Sequence, residues 1–252
     1  MNTVKTPFKE LQVGYVFPTN EGGSVTVTNI VDSKNISVRH NDNYGHTAIV
    51  QLETLNNGQL KNPYYPNIHG VGYFGVGPHV AVFNGNTTSE YGAWKRMLER
   101  CYLPSRQLNQ PTYVGCTVDS EWHNFQTFAH WYCNQIDYGK GYDLDKDILV
   151  YGNKIYGPDT CVLVPHVINN LFVNRIQRTT GRLLPTGLEQ RGKSYRVKSY
   201  GINLGTYESI EQAHGVYLNH RQEHILSIAY QHKDAIDPRV YYAIIALAHS
   251  GS

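Results

Sequence analysis

Apolar and polar residues alternate at period two in the first 62 residues, as expected for strands with one buried face. The clearest examples are residues 25–30 and 35–39, which are separated by a turn at Asp32 and Ser33. Asn- and Gly-rich breaks at residues 21–23, 41–45 and 56–58 divide the rest into short segments. This pattern predicts four or five short strands, which we interpret as a small β-barrel module over residues 1–62.

The period changes to that of helices after a linker of residues 63–87, which is rich in glycine, proline and aromatic residues. Apolar residues recur every three or four positions over residues 88–104, where Thr88 or Ser89 can cap the first turn. The same spacing returns at about residues 120–135, after a short strand predicted at residues 113–118. The aromatic faces of both helices are typical of a core.

Carboxylates and amides mark the next segment, residues 142–172. Asp143, Asp145 and Asp147 alternate along a predicted strand, so their side chains should share one face. A turn and a second short strand then lead to a helix that carries Asn169 and Asn170. Hard divalent cations prefer oxygen ligands of these two kinds, so the segment is a candidate metal site.

Apolar and polar residues again alternate at period two over residues 187–207, in the last quarter of the chain. Tight turns divide it into three predicted strands, and Ser209 is a good N-cap for the helix that follows. The extension toward residue 252 also has a helical apolar face. We therefore predict a three-stranded sheet packed on a helix.

Composition places the chain among ordinary globular proteins, because 40% of its 252 residues are hydrophobic and 17% are charged. No apolar run approaches the roughly 20 residues of a membrane span, and the polar beginning does not resemble a signal peptide. The four cysteines are scattered without CxxC spacing, which argues against a zinc ribbon. We expect reduced, mostly buried thiols in a cytosolic protein.

Charge is unevenly distributed although the net charge is only +2. Residues 86–173 carry seven basic and nine acidic side chains, whereas residues 174–252 carry ten basic and six acidic ones. A basic stripe suits a polyanion such as DNA, and a solvated basic surface is the alternative. The stripe, which faces only Glu189, consists of Arg175, Arg178, Arg182, Arg191, Lys193, Arg196 and Lys198.

Several motifs resemble known families. The runs YGAWKRMLERCY, GCTVDSEWHNFQTFAHW, LDKDI, GNKIYGPDTCVLVP and INNLF resemble the core of phage-encoded, homing-type HNH endonucleases over residues 89–173. The block LGTY-x-S-x-E-x-A resembles the ethylene-response-factor type of DNA-binding domain over residues 186–230. The first 62 residues resemble a Src-homology type barrel, which often serves as a docking module.

The nuclease resemblance implies a ββα-metal site. Mg²⁺ or Mn²⁺ would be held by Asp145 together with Asn169 or Asn170. Lys146 stands where the family usually has a histidine as general base. Three alternatives remain open: Lys146 acts as the base in a dry site, His166 is the base, or the site no longer cleaves.

The second resemblance implies that the three-stranded sheet lies in the major groove of double-stranded DNA. Arg196, Lys198 and Tyr200 should share the face of the sheet that meets the groove. Arg191 and Asn203 lie where the family contacts bases or phosphates.

Taken together, the sequence predicts an α+β protein with a barrel (1–62), a linker (63–87), an HNH-like domain (88–173) and a DNA-binding domain with a helical extension (174–252). The expected activity is metal-dependent hydrolysis of DNA in the cytoplasm of a phage-infected bacterium, with no membrane association. The alternatives are a DNA-binding protein that has lost cleavage, and an interaction protein whose barrel binds a phage or host partner.

Overall fold

The computed structural model describes residues 5–136, 138, 141–173 and 184–250. Arg175, Arg178 and Arg182 of the predicted basic stripe lie outside these residues. The chain forms two compact units, of which unit 1 comprises Met1–His79 and Ser120–Phe128, and unit 2 comprises Val80–Asp119 and Ala129–Ser252. Helices and several separate sheets occur together, which confirms the predicted α+β class.

An antiparallel sheet in the order β1-β2-β3-β4 forms the main part of unit 1. Its inner face is the alternating apolar set found in the sequence, since Val25, Val27, Ile36 and Val38 are all buried. The sheet is followed by a short helix, α1 (Leu52–Asn56). The strands are β1 (Val16–Pro18), β2 (Ser24–Asp32), β3 (Asn35–His40) and β4 (Thr47–Val50).

The predicted closed barrel is wrong for the described residues of unit 1. Strand β1 pairs only with β2 and β4 only with β3, so the sheet stays open. Both edge strands are short, with three and four residues. The chain then turns into α1, which contacts β1. A helix cannot continue the ladder of hydrogen bonds, so no fifth strand closes the sheet.

The aromatic helix predicted at about residues 120–135 is divided in two. A 3-10 turn, Ser120–His123, precedes α4 (Phe125–Cys133). In unit 1 the rings of Trp122 and Phe128 meet edge to face, with 5.0 Å between centroids. Both rings are fully buried, which confirms the core role expected for this stripe.

Unit 2 begins with a hairpin and two helices. The Thr88 hydroxyl caps the first helix by accepting from the Tyr91 amide at 3.4 Å. The strand expected at residues 113–118 is reduced to two residues, because Pro111 starts a 3-10 turn instead. The elements are β5 (Val82–Phe83), β6 (Asn86–Thr87), α2 (Ser89–Tyr102), α3 (Pro104–Asn109), β7 (Thr117–Val118) and β9 (Ile155–Tyr156), which runs parallel to β7.

The predicted order of strand, strand and helix is present in the metal-site segment. Strand β8 (Asp143–Asp145) pairs antiparallel with β10 (Val162–Val164), and α5 (His166–Val173) follows. In this register Asp143 lies opposite Val164, next to the start of α5. The strand ends at Asp145, so Asp147 lies beyond it. The prediction that Asp147 shares one face of the strand with Asp143 and Asp145 is therefore wrong.

Three antiparallel strands and two helices complete the chain. The long helix contacts all three strands, and Ser209 caps it by accepting from the Gln212 amide at 3.1 Å. Val197, in the middle strand, is fully buried. The elements are β11 (Leu188–Arg191), β12 (Ser194–Ser199), β13 (Ile202–Tyr207), α6 (Ile210–His232) and α7 (Pro238–His249).

One apolar core joins the metal-site segment of unit 2 to its two C-terminal helices. Val164 and Ile168 of the metal-site segment pack in the same cluster as Ile225 of α6 and Ile244 of α7. None of the helices within the described residues combines the length and apolarity needed to span a bilayer.

All four cysteines are free and belong to unit 2. Cys101, Cys116 and Cys161 are buried, and Cys133 is half-buried. Burial raises the pKa of Cys101 and of Cys161 to about 12. The expectation of buried thiols is confirmed for three of the four.

Candidate metal centre and nucleic-acid interface

The first candidate site forms where β8 meets the start of α5. Oδ2 of Asp143 accepts hydrogen bonds from Nδ1 of His166 at 2.7 Å and from Nδ2 of Asn169 at 2.9 Å. His166 and Asn169 are three residues apart, so they lie on one face of the helix. We call Asp143, His166 and Asn169 the Asp143 cluster.

Asn169 has an unsatisfied oxygen within this cluster. Its Oδ1 is buried and has no hydrogen-bond partner among the described residues. A buried carbonyl oxygen without a donor costs free energy unless something else binds it. An amide oxygen beside a carboxylate fits a hard divalent cation.

Asp145, the aspartate selected from the sequence, has another role in the fold. Its Oδ1 accepts from the backbone amides of Asp147 at 2.7 Å and Ile148 at 2.8 Å, which holds the turn after β8. Burial raises the pKa of this carboxyl, and the two amide hydrogen bonds only partly oppose that effect. Asn170, the other amide considered, is exposed on α5 and lines a cleft against the C-terminal sheet.

Lys146 is a structural residue in this arrangement. Only 5% of its side chain is exposed, and Nζ donates to Oδ2 of Asp147 at 2.7 Å and to the Asn153 carbonyl at 2.6 Å. The ammonium also lies 5.7 Å from the centroid of the Tyr156 ring. A charged donor held by a carboxylate and a carbonyl is poorly placed to remove a proton from water.

Sequence reasoning missed the role of Asn153. Its Nδ2 donates to the carbonyls of Lys146 at 3.0 Å and Ile155 at 2.7 Å, so it ties together the loop between β8 and β9. The only signal was the Gly-Asn pair in the predicted turn.

Arg100 was missed as well, although it lies beneath the same site. Burial disfavours its charge, but Tyr156, Tyr113 and Asp143 outweigh that effect and leave its pKa raised. Its guanidinium carbon is 5.5 Å from the centroid of the Tyr113 ring. It lies within the run YGAWKRMLERCY, but that run did not indicate a role for it, because α2 and β8 are distant in the chain.

The second candidate site is the outer face of the C-terminal sheet. Glu189, on the edge strand β11, lies among three cations, with its carboxylate 2.6 Å from Arg191, 2.6 Å from Arg196 and 3.8 Å from Lys198. The hydrogen bond from Arg196, and then the charges of the neighbouring cations, hold the pKa of Glu189 below its usual range. Three cations and one carboxylate leave this face positive.

Two residues predicted beside these cations differ in their placement. Asn203 is exposed and lies opposite Lys198 in the β12–β13 register, as an outer-face residue should. Tyr200, by contrast, does not share that face, so this prediction is wrong. A bulge between Val197 and Lys198 and a left-handed backbone at Tyr200 (φ 47°) break the alternation. The Tyr200 ring contacts His224 of α6, with 3.7 Å between ring centroids and the two planes tilted by 30°.

In comparisons with models of protein families, with curated proteins and with solved structures, nothing matches this chain.

Proposed function

We propose that this chain is a DNA-binding protein that hydrolyses phosphodiester bonds with a divalent cation at the Asp143 cluster. The observation that carries the proposal is the meeting of a strand carboxylate with a histidine and an amide from one helix face. Asp143 and Asn169 would hold Mg²⁺ or Mn²⁺, which keeps several waters and leaves room for phosphate oxygens. When bound, the ion would stabilise the charge that develops on the leaving oxygen.

His166 is the general base in this proposal. Since a carboxylate only accepts, Nδ1 of His166 must donate to Asp143, which leaves Nε2 as the acceptor when the ring is neutral. The His166 side chain is 74% exposed, so water and DNA can reach that nitrogen. Asp143 thus orients the ring, and Nε2 takes the proton from the attacking water.

The sheet face would hold the DNA. Arg191, Arg196 and Lys198 supply phosphate or guanine contacts, and Asn203 can pair with adenine. The three cations of this face share the single carboxylate of Glu189 in the ion pairs of the described residues, and this excess of positive charge supports binding of a polyanion.

The decisive experiment compares two aspartates of one strand in cleavage of supercoiled plasmid with Mg²⁺ or Mn²⁺. Asp143→Ala should lower the cleavage rate at least about 100-fold while DNA binding persists. Asp145→Asn is the matched control, because its amide oxygen still accepts from the turn amides. Loss of cleavage in Asp145→Asn but not in Asp143→Ala would instead assign the ligand to Asp145, as the sequence suggested.

His166→Gln tests the base separately. We expect a loss of about 100-fold or more in the rate, with metal binding measured by calorimetry retained. An unchanged rate would remove His166 from the mechanism.

A second candidate function is DNA binding without cleavage. It is favoured by Lys146, which is buried and ion-paired where the resembled nucleases have their base. If the wild-type chain binds DNA but nicks no plasmid with either metal, this second function replaces the first.

A further inference from the structure

A cleft of about 820 Å³ lies in unit 2 between α5, the chain after β12 and one face of α6. It is separate from the Asp143 cluster, because Asn170 rather than Asn169 lines it. Its volume is typical of sites for small organic ligands. A ligand bound in this cleft would give the chain a second site, beyond the nuclease function.

The face of α6 that lines the cleft has an unusual composition. His214, Tyr217, Arg221, His224 and Ile228 recur every three or four residues, so they form one stripe along the helix. Such a stripe on a helix packed between other elements is ordinarily apolar. Four of its five positions here carry rings or charge, as suits a surface that contacts a polar ligand.

Ser199 provides an independent indication of a ligand. Only 3% of the residue is exposed, its Oγ has no hydrogen-bond partner among the described residues, and it lines the cleft. A buried hydroxyl without a hydrogen-bond partner destabilises the folded chain. A bound molecule with a hydrogen-bond acceptor would remove that cost.

Two aromatic pairs also line the cleft. The rings of Tyr200 and His224 are tilted by 30° with 3.7 Å between centroids, and those of His214 and Tyr217 are nearly parallel, at 10°, with 6.3 Å between centroids. Tyr217 packs closely over Gly187, where a Cβ would meet the ring at 2.2 Å. These rings offer flat surfaces on which a nucleobase can stack.

Charge completes the chemistry. Arg221 lies between the two aromatic pairs along the helix and is the charged side chain of the stripe. Lys198 also lines the cleft, but its ammonium lies 3.8 Å from Glu189 on the outer face of the sheet. Among the described residues that line the cleft there is no aspartate or glutamate. An arginine with nearby aromatic rings, a buried hydroxyl and no carboxylate in the described lining suits a ligand with one planar and one anionic part.

We propose that this cleft binds a nucleoside monophosphate unit, with the phosphate on Arg221 and the base against the aromatic pairs. The unit has two possible sources, a free nucleotide or an unpaired nucleotide of a DNA strand. Both present the same chemistry to the cleft.

The test is calorimetric titration of the full chain, without metal, with dAMP, deoxyadenosine, inorganic phosphate and a short single-stranded oligonucleotide. We expect dAMP to bind more tightly than either of its parts. A further gain with the oligonucleotide would identify the strand as the source, whereas no gain would identify the free nucleotide.

Three variants make the assignment specific. Arg221→Gln should weaken dAMP binding about tenfold, whereas Lys95→Gln, an exposed charge on α2, should not. Ser199→Ala should weaken binding about fivefold and yet raise the melting temperature, since it removes an unsatisfied hydroxyl. This opposite effect on binding and stability is not expected of a purely structural serine.

The proposal is overturned if dAMP does not bind, or if Arg221→Gln and Ser199→Ala both leave its affinity within twofold of that of the Lys95→Gln variant. Because the titration requires neither metal nor cleavage, this proposal and the nuclease proposal can fail separately.

Discussion

At the scale of single residues, three aspartates that look equivalent in the sequence have three different roles. Asp143 contacts α5, Asp145 holds the turn with its side-chain oxygen, and Asp147 pairs with Lys146. The difference arises because β8 ends at Asp145. Where a strand ends decides whether a carboxylate faces a helix, its own backbone or a buried cation.

Asp145→Asn tests the role of Asp145 through the pH dependence of stability. Burial raises the pKa of this carboxyl, so the folded chain binds its proton more tightly than the unfolded chain does. The carboxyl therefore favours folding most below its unfolded pKa of about 4, and this contribution is lost as the pH rises through the folded pKa. The side-chain amide introduced by Asp145→Asn still accepts hydrogen bonds, and its contribution to stability does not depend on pH.

The free energy of unfolding of Asp145→Asn, relative to that of the wild type, should thus increase between about pH 4 and pH 7. Urea denaturation at several pH values measures the difference. A difference that does not change with pH would show that the carboxyl is not desolvated in the folded chain.

At the scale of elements, the C-terminal sheet shows how one side chain can moderate a whole surface. Glu189 lies within 4 Å of three cations contributed by β11 and β12. It forms ion pairs with Arg191 and Arg196, and it also cancels part of the charge that attracts phosphate. Removing its charge should change DNA affinity without disturbing the buried side of the sheet.

Glu189→Gln should bind duplex DNA several-fold more tightly, with a steeper salt dependence, because more cationic charge is available to phosphate. The logarithm of the binding constant falls by about 0.9 for each phosphate contact per unit of log salt concentration. Fluorescence anisotropy across a salt series measures both quantities, and Glu211→Gln on the exposed side of α6 is the matched control. Weaker binding by Glu189→Gln would mean that Glu189 holds Arg196 in its binding orientation.

At the scale of the whole molecule, the metal-site segment and the C-terminal helices of unit 2 are not separate in their packing. Val164 and Ile168 share one core with Ile225 and Ile244. The Asp143 cluster therefore depends on helices far away in sequence. Substitutions in the C-terminal helices should therefore disturb the Asp143 cluster through loss of packing rather than through any direct contact.

Ile244→Ala tests this dependence. Ile244 is fully buried on α7, so its truncation should cost about 2–5 kcal/mol in unfolding free energy. Hydrogen exchange should then speed up at β10 and at the start of α5 as well as in α7. Tyr242→Ala, at a position 70% exposed on the same helix, should change neither. Protection that is lost in α7 alone would show that the shared core does not act as one cooperative unit.

The alternation of residues 25–39 predicted β2 and β3, and helical spacing with a capping residue predicted α2 and the start of α6. These signals depend on residues close together in the chain, so they can be recognised in a single sequence. The closure of the first sheet, the choice of Asp143 over Asp145 and the turning of Tyr200 toward α6 depend on where strands end and how they pair. The position of Arg100 near Asp143 depends on packing between elements far apart in the chain, and the spacing of residues in the sequence does not predict such packing.

The buried thiols of unit 2 also allow the rate at which this unit opens to be measured. Thiolates, not thiols, react with alkylating reagents, and a pKa of about 12 leaves Cys101 and Cys161 almost entirely protonated at neutral pH. These two side chains therefore become reactive only when the core around them opens. Timed alkylation followed by mass spectrometry would report how often unit 2 opens, with half-buried Cys133 reacting first, and no probe would have to be engineered into the chain.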